Sequence, residues 1–309
     1  MRSGQSAGPG GTPLAVDLGT SRTKIFAPGS GLLIDEPTLL ASDRSGQVVA
    51  AGREAWQAGI STDARLIRPV RRARPVSPTN CVRFLTLLLE RCEIRVDGPV
   101  FLAIPAVAST YEASVLAAIP ASATGARIVP VDSLLAGAIG AGLPMDERVG
   151  GLICDVGAGV LELGAIGEGR LLAQASARIG TTEYLDDPKR LVLSAAGALH
   201  RVLCQVPATT AHELLERPVQ VVGGGALLGD LGHDLSDGLR MDVSCHDRPR
   251  EAVITGLARC LDRAARPAPR PPLQRATPDV VGALDVAGPA WSSARGELQA
   301  VPHAAQTRT

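Results

Sequence analysis

Leu14-Ala15-Val16-Asp17-Leu18-Gly19-Thr20 and Leu152-Ile153-Cys154-Asp155-Val156-Gly157-Ala158-Gly159 are the stretches whose reading decides the fold. Each is an apolar strand that ends in Asp-x-Gly, crosses a short turn and leaves as a second apolar strand. The outgoing strands are Ile25-Phe26 in the first copy and Leu161 to Ile166 in the second. Either turn alone reads as an ordinary hairpin whose Asp caps its own turn. Two copies, one in each half of the chain, point to a duplicated α/β fold with phosphate held in the cleft between the halves.

The chemistry follows from the turn tips. Successive backbone N–H groups at a hairpin tip form an anion-binding nest, and glycine lets the backbone approach a phosphate where a Cβ would collide. Gly19, Thr20 and Ser21 offer N–H and hydroxyl donors; Gly157, Ala158 and Gly159 offer mainly N–H donors. Asp17 and Asp155 would repel a phosphate unless a hydrated Mg²⁺ lies between, and that ion binds through few carboxylates while keeping its waters. The pair therefore reads as a Mg-nucleotide site. Lys24, one of only two lysines, reads either as a surface residue or as a point charge on phosphate. Val221-Val222-Gly223-Gly224-Gly225-Ala226 is a strand, a bare turn and a helix start, which suits an adenosine lying against the backbone.

The rest of the chain sets limits. Its 309 residues suffice for one or two domains, and 45% hydrophobic with 20% charged residues is a globular composition. A formal net charge of zero gives no pull toward nucleic acid. The six cysteines lack Cys-x-x-Cys spacing, so neither a zinc site nor a disulfide framework is expected and a reducing cytoplasm is the natural compartment. No signal peptide or membrane-spanning run is read. His200, His212, His233, His246 and His303 have no ligand spacing. The arginines at 65, 68, 71, 72 and 74 read first as a solvated loop face, with anionic lipid or an acidic partner as the other reading.

Strands are predicted at 13–19, 23–27, 31–34, 38–41, 100–105, 127–130, 151–166 (a hairpin), 170–174 and 219–222. Helices are predicted at 80–92, 108–119, 133–142, 187–205, after Gly225, and at 250–263. The expected organisation is a flexible tail (1–12), a first α/β domain (13–145), a second (146–249), a last helix returning to the first (250–264), and a disordered Pro/Ala/Arg-rich tail (265–309).

Asp17-Leu18-Gly19-Thr20 resembles the first phosphate motif of the actin/Hsp70/sugar-kinase superfamily. Several stretches narrow the resemblance to the MreB family of rod-shape-determining bacterial actins: Asp35-Glu36-Pro37-Thr38, Ile67-Arg68-Pro69, Ala138 to Pro144, Asp155 to Gly159, Arg178-Ile179-Gly180 and Gly223 to Leu228. The resemblance covers residues 13–264. It implies an actin-like fold with ATP and Mg²⁺ in the cleft, and filaments that help organise cell-wall synthesis at the membrane. The nucleotide-binding set it implies is Gly19, Thr20, Ser21, Lys24, Gly157, Ala158, Gly159, Gly223, Gly224, Gly225 and Ala226, with Asp17 and Asp155 holding Mg²⁺ through water.

The departures are as informative. The family's second turn reads Asp-x-Gly-Gly-Gly-Thr-Thr, whereas Ala158 and Val160-Leu161 stand here. The family's water-positioning acid falls on Ser133, with Asp132 as a poor neighbouring substitute, so hydrolysis is expected to be slow or absent. Glu162 is read as an ordinary sheet residue that could also help bind a metal-linked water. Between Gly180 and Gly223 there is room for only one helix and a short loop, so subdomain IIB, whose helix holds adenosine in the family, is expected to be largely missing. A degenerate non-polymerising scaffold, a short Hsp70-like chaperone and a small-molecule kinase are the competing readings. The kinase lacks a recognisable catalytic Asp and the chaperone a peptide-binding domain.

Overall fold

The first expected hairpin forms at β1 (Leu14–Leu18) and β2 (Arg22–Ala27), and β3 (Gly31–Pro37) extends it as an antiparallel meander. The computed structural model describes residues 12–265, so the calls on both tails fall outside the described residues except at Thr12 and Ala265. A small layer follows: β4 (Leu40–Ser42), β5 (Val48–Ala51), α1 (Arg53–Ser61) and β6 (Arg65–Ile67). A two-residue hairpin, β7 (Val70–Arg71) and β8 (Arg74–Pro75), leads to α2 (Pro78–Arg91), β9 (Val100–Ile104), α3 (Thr110–Thr124), β10 (Ile128–Asp132) and α4 (Ser133–Ala141). The second half runs through β11 (Gly151–Val156), β12 (Leu161–Gly167), β13 (Arg170–Ala177), α5 (Thr181–Asp186), α6 (Pro188–Cys204) and α7 (Ala208–Leu215). It ends with β14 (Val219–Val222), α8 (Leu231–Leu239), β15 (Val243–Cys245) and α9 (Ala252–Ala265).

The duplication is visible in the sheets. One has the order β10-β9-β1-β2-β3 and the other β15-β14-β11-β12-β13, each an antiparallel meander flanked by two parallel strands. Each half's last helix crosses to the other half's sheet. Leu134 and Ala138 of α4 pack on Ile153, Ile166 and Val222, while Val253, Ile254, Leu257 and Leu261 of α9 pack on Ala15, Phe101 and Ala103. The two helices touch backbone to backbone. A Cβ at Gly140 would fall 1.8 Å from Ala252 O, and one at Gly256 would fall 1.7 Å from Ala136 O, so only glycine fits either position.

Local rules explain the helix ends. Ser77 caps α2 with Pro78 in the first turn, and Cys81, Phe84, Leu85, Leu88 and Leu89 turn to the core. Ser109 and Glu112 form a capping box on α3. This helix outruns its expected end at 119: Pro120 is buried within it, and the helix stops only at Gly125, in the left-handed region with φ 72°.

The halves differ in what is inserted after the meander. Residues 38–77 between β3 and α2 build the small sheet, α1 and the β7–β8 hairpin, whereas only residues 178–187, with the single short helix α5, separate β13 from α6. The expectation of one helix and a short loop between Gly180 and Gly223 is corrected to three helices. Of these, α6 belongs to the core layer through Leu191, Ala195, Ala198, Leu199 and Val202. The short elements β5 to β8, α1, α5, α7 and β15 lie outside the expected set, having no long periodic pattern.

Candidate functional site

The ends of β1 and β11 face one cleft of about 610 Å³. Both turns are closed by the same bond: Gly19 N–H donates to Arg22 O at 3.1 Å, and Gly157 N–H donates to Val160 O at 2.9 Å. Asp17, Gly19, Thr20, Ser21, Lys24, Ser133, Asp155, Gly157, Ala158, Gly159, Gly223 and Gly224 all line this cleft, so residues far apart in the chain meet there. Gly225 and Ala226 do not. A Cβ on Gly225 would meet Val156 Cγ1 at 2.6 Å, and Ala226 packs into the second half's core, so both serve packing rather than the cleft wall. Instead of leading directly into a helix, the glycines form one 3₁₀ turn, Gly224–Leu227, ahead of α8. Gly223 is required by its φ of 87° and by Asp155, whose Oδ1 would lie 2.2 Å from a Cβ there.

The two turns have opposite electrostatics. In the first hairpin Lys24 stands opposite Asp17 in register, and its buried Nζ lies 3.4 Å from Asp17 Oδ2. Lys24 is thus a counter-ion within the cleft rather than a surface residue. In the second hairpin the position opposite Asp155 is Glu162. Asp155 keeps some contact with the cleft, yet desolvation and then the Asp17 charge push its carboxyl up to about 7, against the opposing pull of Lys24. Glu162 is 4% exposed, and desolvation drives it to about 8 although Ser133 Oγ and Ala106 N–H hydrogen-bond to it. Glu162 is therefore no ordinary sheet residue. It reaches out of β12 to Ala106 and, at 2.6 Å, to Ser133 at the start of α4. Its signal in the sequence was its place directly across the hairpin from Asp155.

Asp132 is not among the residues that line the cleft. Its Oδ1 accepts from the N–H groups of Leu134 and Leu135 at 2.9 and 3.1 Å, so it caps α4, and burial raises its carboxyl. Sequence reasoning also missed Thr38, which supports the first turn from behind. Its buried hydroxyl donates to Gly19 O at 2.8 Å and lies 2.9 Å from Thr23 Oγ1. Nor is the arginine run a plain solvated face: Arg68 lines the cleft, Arg72 pairs with Glu183, and Arg74 Nε donates to Glu112 at 2.6 Å.

The carboxylates suit a hydrated divalent ion. Among the described residues no three His, Cys, Asp or Glu side chains close on one point to form an all-protein metal cage. Asp17 and Asp155, reached through retained waters and completed by ligand phosphates, would be a donor set that Mg²⁺ accepts.

A protein-family model described as MreB/Mbl protein matches residues 11–191 and 182–268. The chain belongs to the MreB/Mbl family. The two matched segments overlap at residues 182–191, where α5 gives way to α6. The cell shape-determining protein MreB of Escherichia coli (strain K12) is 29% identical over 182 residues, 55% of this chain and 52% of that protein. This chain thus matches about half the length of that MreB relative. The cell shape-determining protein Mbl of Bacillus subtilis (strain 168) is 20% identical over 317 residues, covering 81% of this chain and 95% of Mbl. Among solved structures, MreB5 of Spiroplasma citri bound to ADP superposes with a TM-score of 0.72 at 18% identity, covering 82% of this chain and 96% of MreB5. A MamK double helical filament gives 0.65 at 16%, covering 81% and 98%. The fold of this MreB/Mbl family member is therefore actin-like, with two α/β halves. Among its described residues no helix is long and apolar enough to cross a membrane.

Proposed function

We propose that this MreB/Mbl family member binds a Mg-nucleotide, ATP or ADP, between its two turns and acts as an actin-like cytoskeletal or scaffold protein in cell shape and cell-wall morphogenesis. The observation that carries the reading is the cleft itself: two identically closed turns with Asp17 and Asp155 between them. The ADP-bound MreB5 neighbour supports it. Gly19, Thr20, Ser21, Gly157, Ala158 and Gly159 would cradle phosphates, Gly223 and Gly224 would lie under the nucleoside, and Asp17 and Asp155 would hold Mg²⁺ through water. The bound ion would neutralise phosphate charge. Lys24 pairs with Asp17, and Glu162 fixes the Ser133 hydroxyl.

Hydrolysis is slow or absent in this reading. Ser133 stands at the family's acid position with its hydroxyl committed to Glu162, and Asp132 is committed to a helix cap. Self-association is the proposed mode of action, as the MamK filament suggests, at the inner face of the membrane with cell-wall synthesis proteins as partners. A non-polymerising scaffold is the second reading, favoured by the short 178–187 connection. Calorimetric titration with Mg-ATP tests the nucleotide claim: saturable binding, weakened at least tenfold by Asp17→Ala and Asp155→Ala, is expected, and no binding by the parent chain refutes it. Sedimentation with nucleotide then separates polymer from scaffold, since no sedimenting material would favour the second reading.

A further inference from the structure

The β7–β8 hairpin reverses in two residues, Arg72 and Ala73, because Val70 pairs with Pro75 and Arg71 with Arg74. Both lie in the left-handed region, with φ 48° and 57°. This geometry favours Asn-Gly and is disfavoured for residues with a larger side chain. Such a turn persists only when its surroundings over-determine it.

Its surroundings are the two anion turns. Ala73 N–H donates to Thr20 Oγ1 at 3.2 Å, which leaves the Thr20 hydroxyl proton free to donate elsewhere. Arg72 packs against the second turn, where a Cβ on Gly159 would lie 3.0 Å from Arg72 Cα. The Arg72 guanidinium pairs with Glu183, whose other oxygen accepts from Gly180 N–H at 2.9 Å. These donors hold the Glu183 carboxyl low against the desolvation that would raise it. The next residues, Thr181 and Thr182, donate to Gly157 O and Ala158 O at 3.0 and 3.2 Å.

One side chain organises the whole. Arg178, after β13, donates to Arg72 O, to Val107 O at 3.0 Å and to Glu112 Oε2 at 2.6 Å. Glu112 also takes Arg74 and the Ser109 N–H, and its carboxyl is held down at about 2, first by that N–H. A guanidinium can serve three acceptors in different directions, which a lysine ammonium on the same path would do poorly.

We propose that the Arg71–Arg74 turn is a bridge that fixes the spacing of the two anion turns, with Arg178 as its positioning residue. A di- or triphosphate spanning both turns is bound tightly only while the bridge is closed. The affinity consequence rests on the nucleotide reading; the bridge itself does not.

Hydrogen exchange on the full chain tests it without ligand. Arg178→Ala is expected to speed exchange at least tenfold at residues 70–75, and also at 19–21 and 157–159. Acceleration confined to 70–75, or none, overturns the bridge. Ala73→Pro breaks it from the other side, since proline has no N–H for Thr20 and cannot adopt this φ, and should reproduce the pattern if the arginine variant does not fold. Ala73→Gly keeps the N–H and should exchange like the parent. With Mg-ATP, both disrupting variants should lose at least tenfold in affinity while Ala73→Gly does not. Parent-like affinity in Arg178→Ala overturns the positioning role. If the parent binds no nucleotide but the three segments still exchange together, the nucleotide reading fails and the bridge stands.

Discussion

The two Asp-x-Gly hairpins share a register and a closing hydrogen bond, yet they solve the same electrostatic problem in opposite ways. The first neutralises its acid internally, with Lys24 across the hairpin from Asp17. The second sets Glu162 across from Asp155 and so buries two acids in one sheet. A cation between the turns would offset the Asp155–Glu162 charge, which has no lysine opposite it, as Lys24 already does in part for Asp17. Duplication preserved the backbone, and the residue opposite each Asp decides what the turn can do.

The largest effect should come from Lys24→Met. It leaves the half-buried Asp17 without its partner, a loss of about 3 kcal/mol at the upper end for an unpaired charged group, to be read as a drop in the denaturation midpoint. Glu162→Gln, the change at the matching position, should be neutral or stabilising at pH 8. Equal losses in both variants would break the comparison.

Next is the packing of the turns themselves. A Cβ at Gly19 would meet Arg22 O at 2.6 Å, whereas one at Gly157 would lie 3.3 Å from Val160 O. Gly19→Ala should therefore cost about 2 kcal/mol through overpacking, and Gly157→Ala less than about 1 kcal/mol. Chemical denaturation of both variants gives the ranking, and the reverse order would contradict it.

The acids also predict a pH dependence. The carboxyls of Asp155 and Glu162 rise from ordinary values of 3.8 and 4.5 to about 7 and about 8 in the fold. Between those limits these two groups bind more protons in the native state than in the unfolded chain, so their contribution to stability is full below about pH 4 and is lost as pH rises through 7 and 8. Thermal melts in EDTA should show this fall from pH 5 to 8, and Mg²⁺ should lessen it by taking the place of the protons. A flat profile in EDTA would show that these acids are not held protonated.

The smallest effect is expected behind the first turn. Thr38→Val removes the hydroxyl that supports Gly19 O and should cost about 1 kcal/mol. Its exchange signature should be confined to the first hairpin, because Thr38 hydrogen-bonds to Gly19, Ser21 and Thr23.

Much of this was legible in the sequence because it is local. The paired Asp-x-Gly turns, the strands around them and the long helices follow from two-residue and 3.6-residue periods. That Ser133 stands where the family has an acid is a reading of the resemblance alone, and it enters only the proposed slow hydrolysis. What escaped was the work of side chains that reach between elements distant in sequence. Glu162 could be placed on a strand but not seen to bind Ala106 and Ser133. The arginine run looked solvated because its partners, Glu112 and Glu183, lie at |i−j| of 38 and 111 from Arg74 and Arg72. The three consecutive glycines suggested one role, whereas Gly223 gives way to Asp155 and Gly225 to Val156.

The central claim is that the second turn needs a cation to receive phosphate. Titrating ATP into the parent chain and into Asp155→Ala, each with Mg²⁺ and with EDTA, tests it most directly. The parent should bind ATP at least tenfold tighter with Mg²⁺, and the variant should gain little or nothing. Equal Mg²⁺ dependence in the two proteins would contradict it.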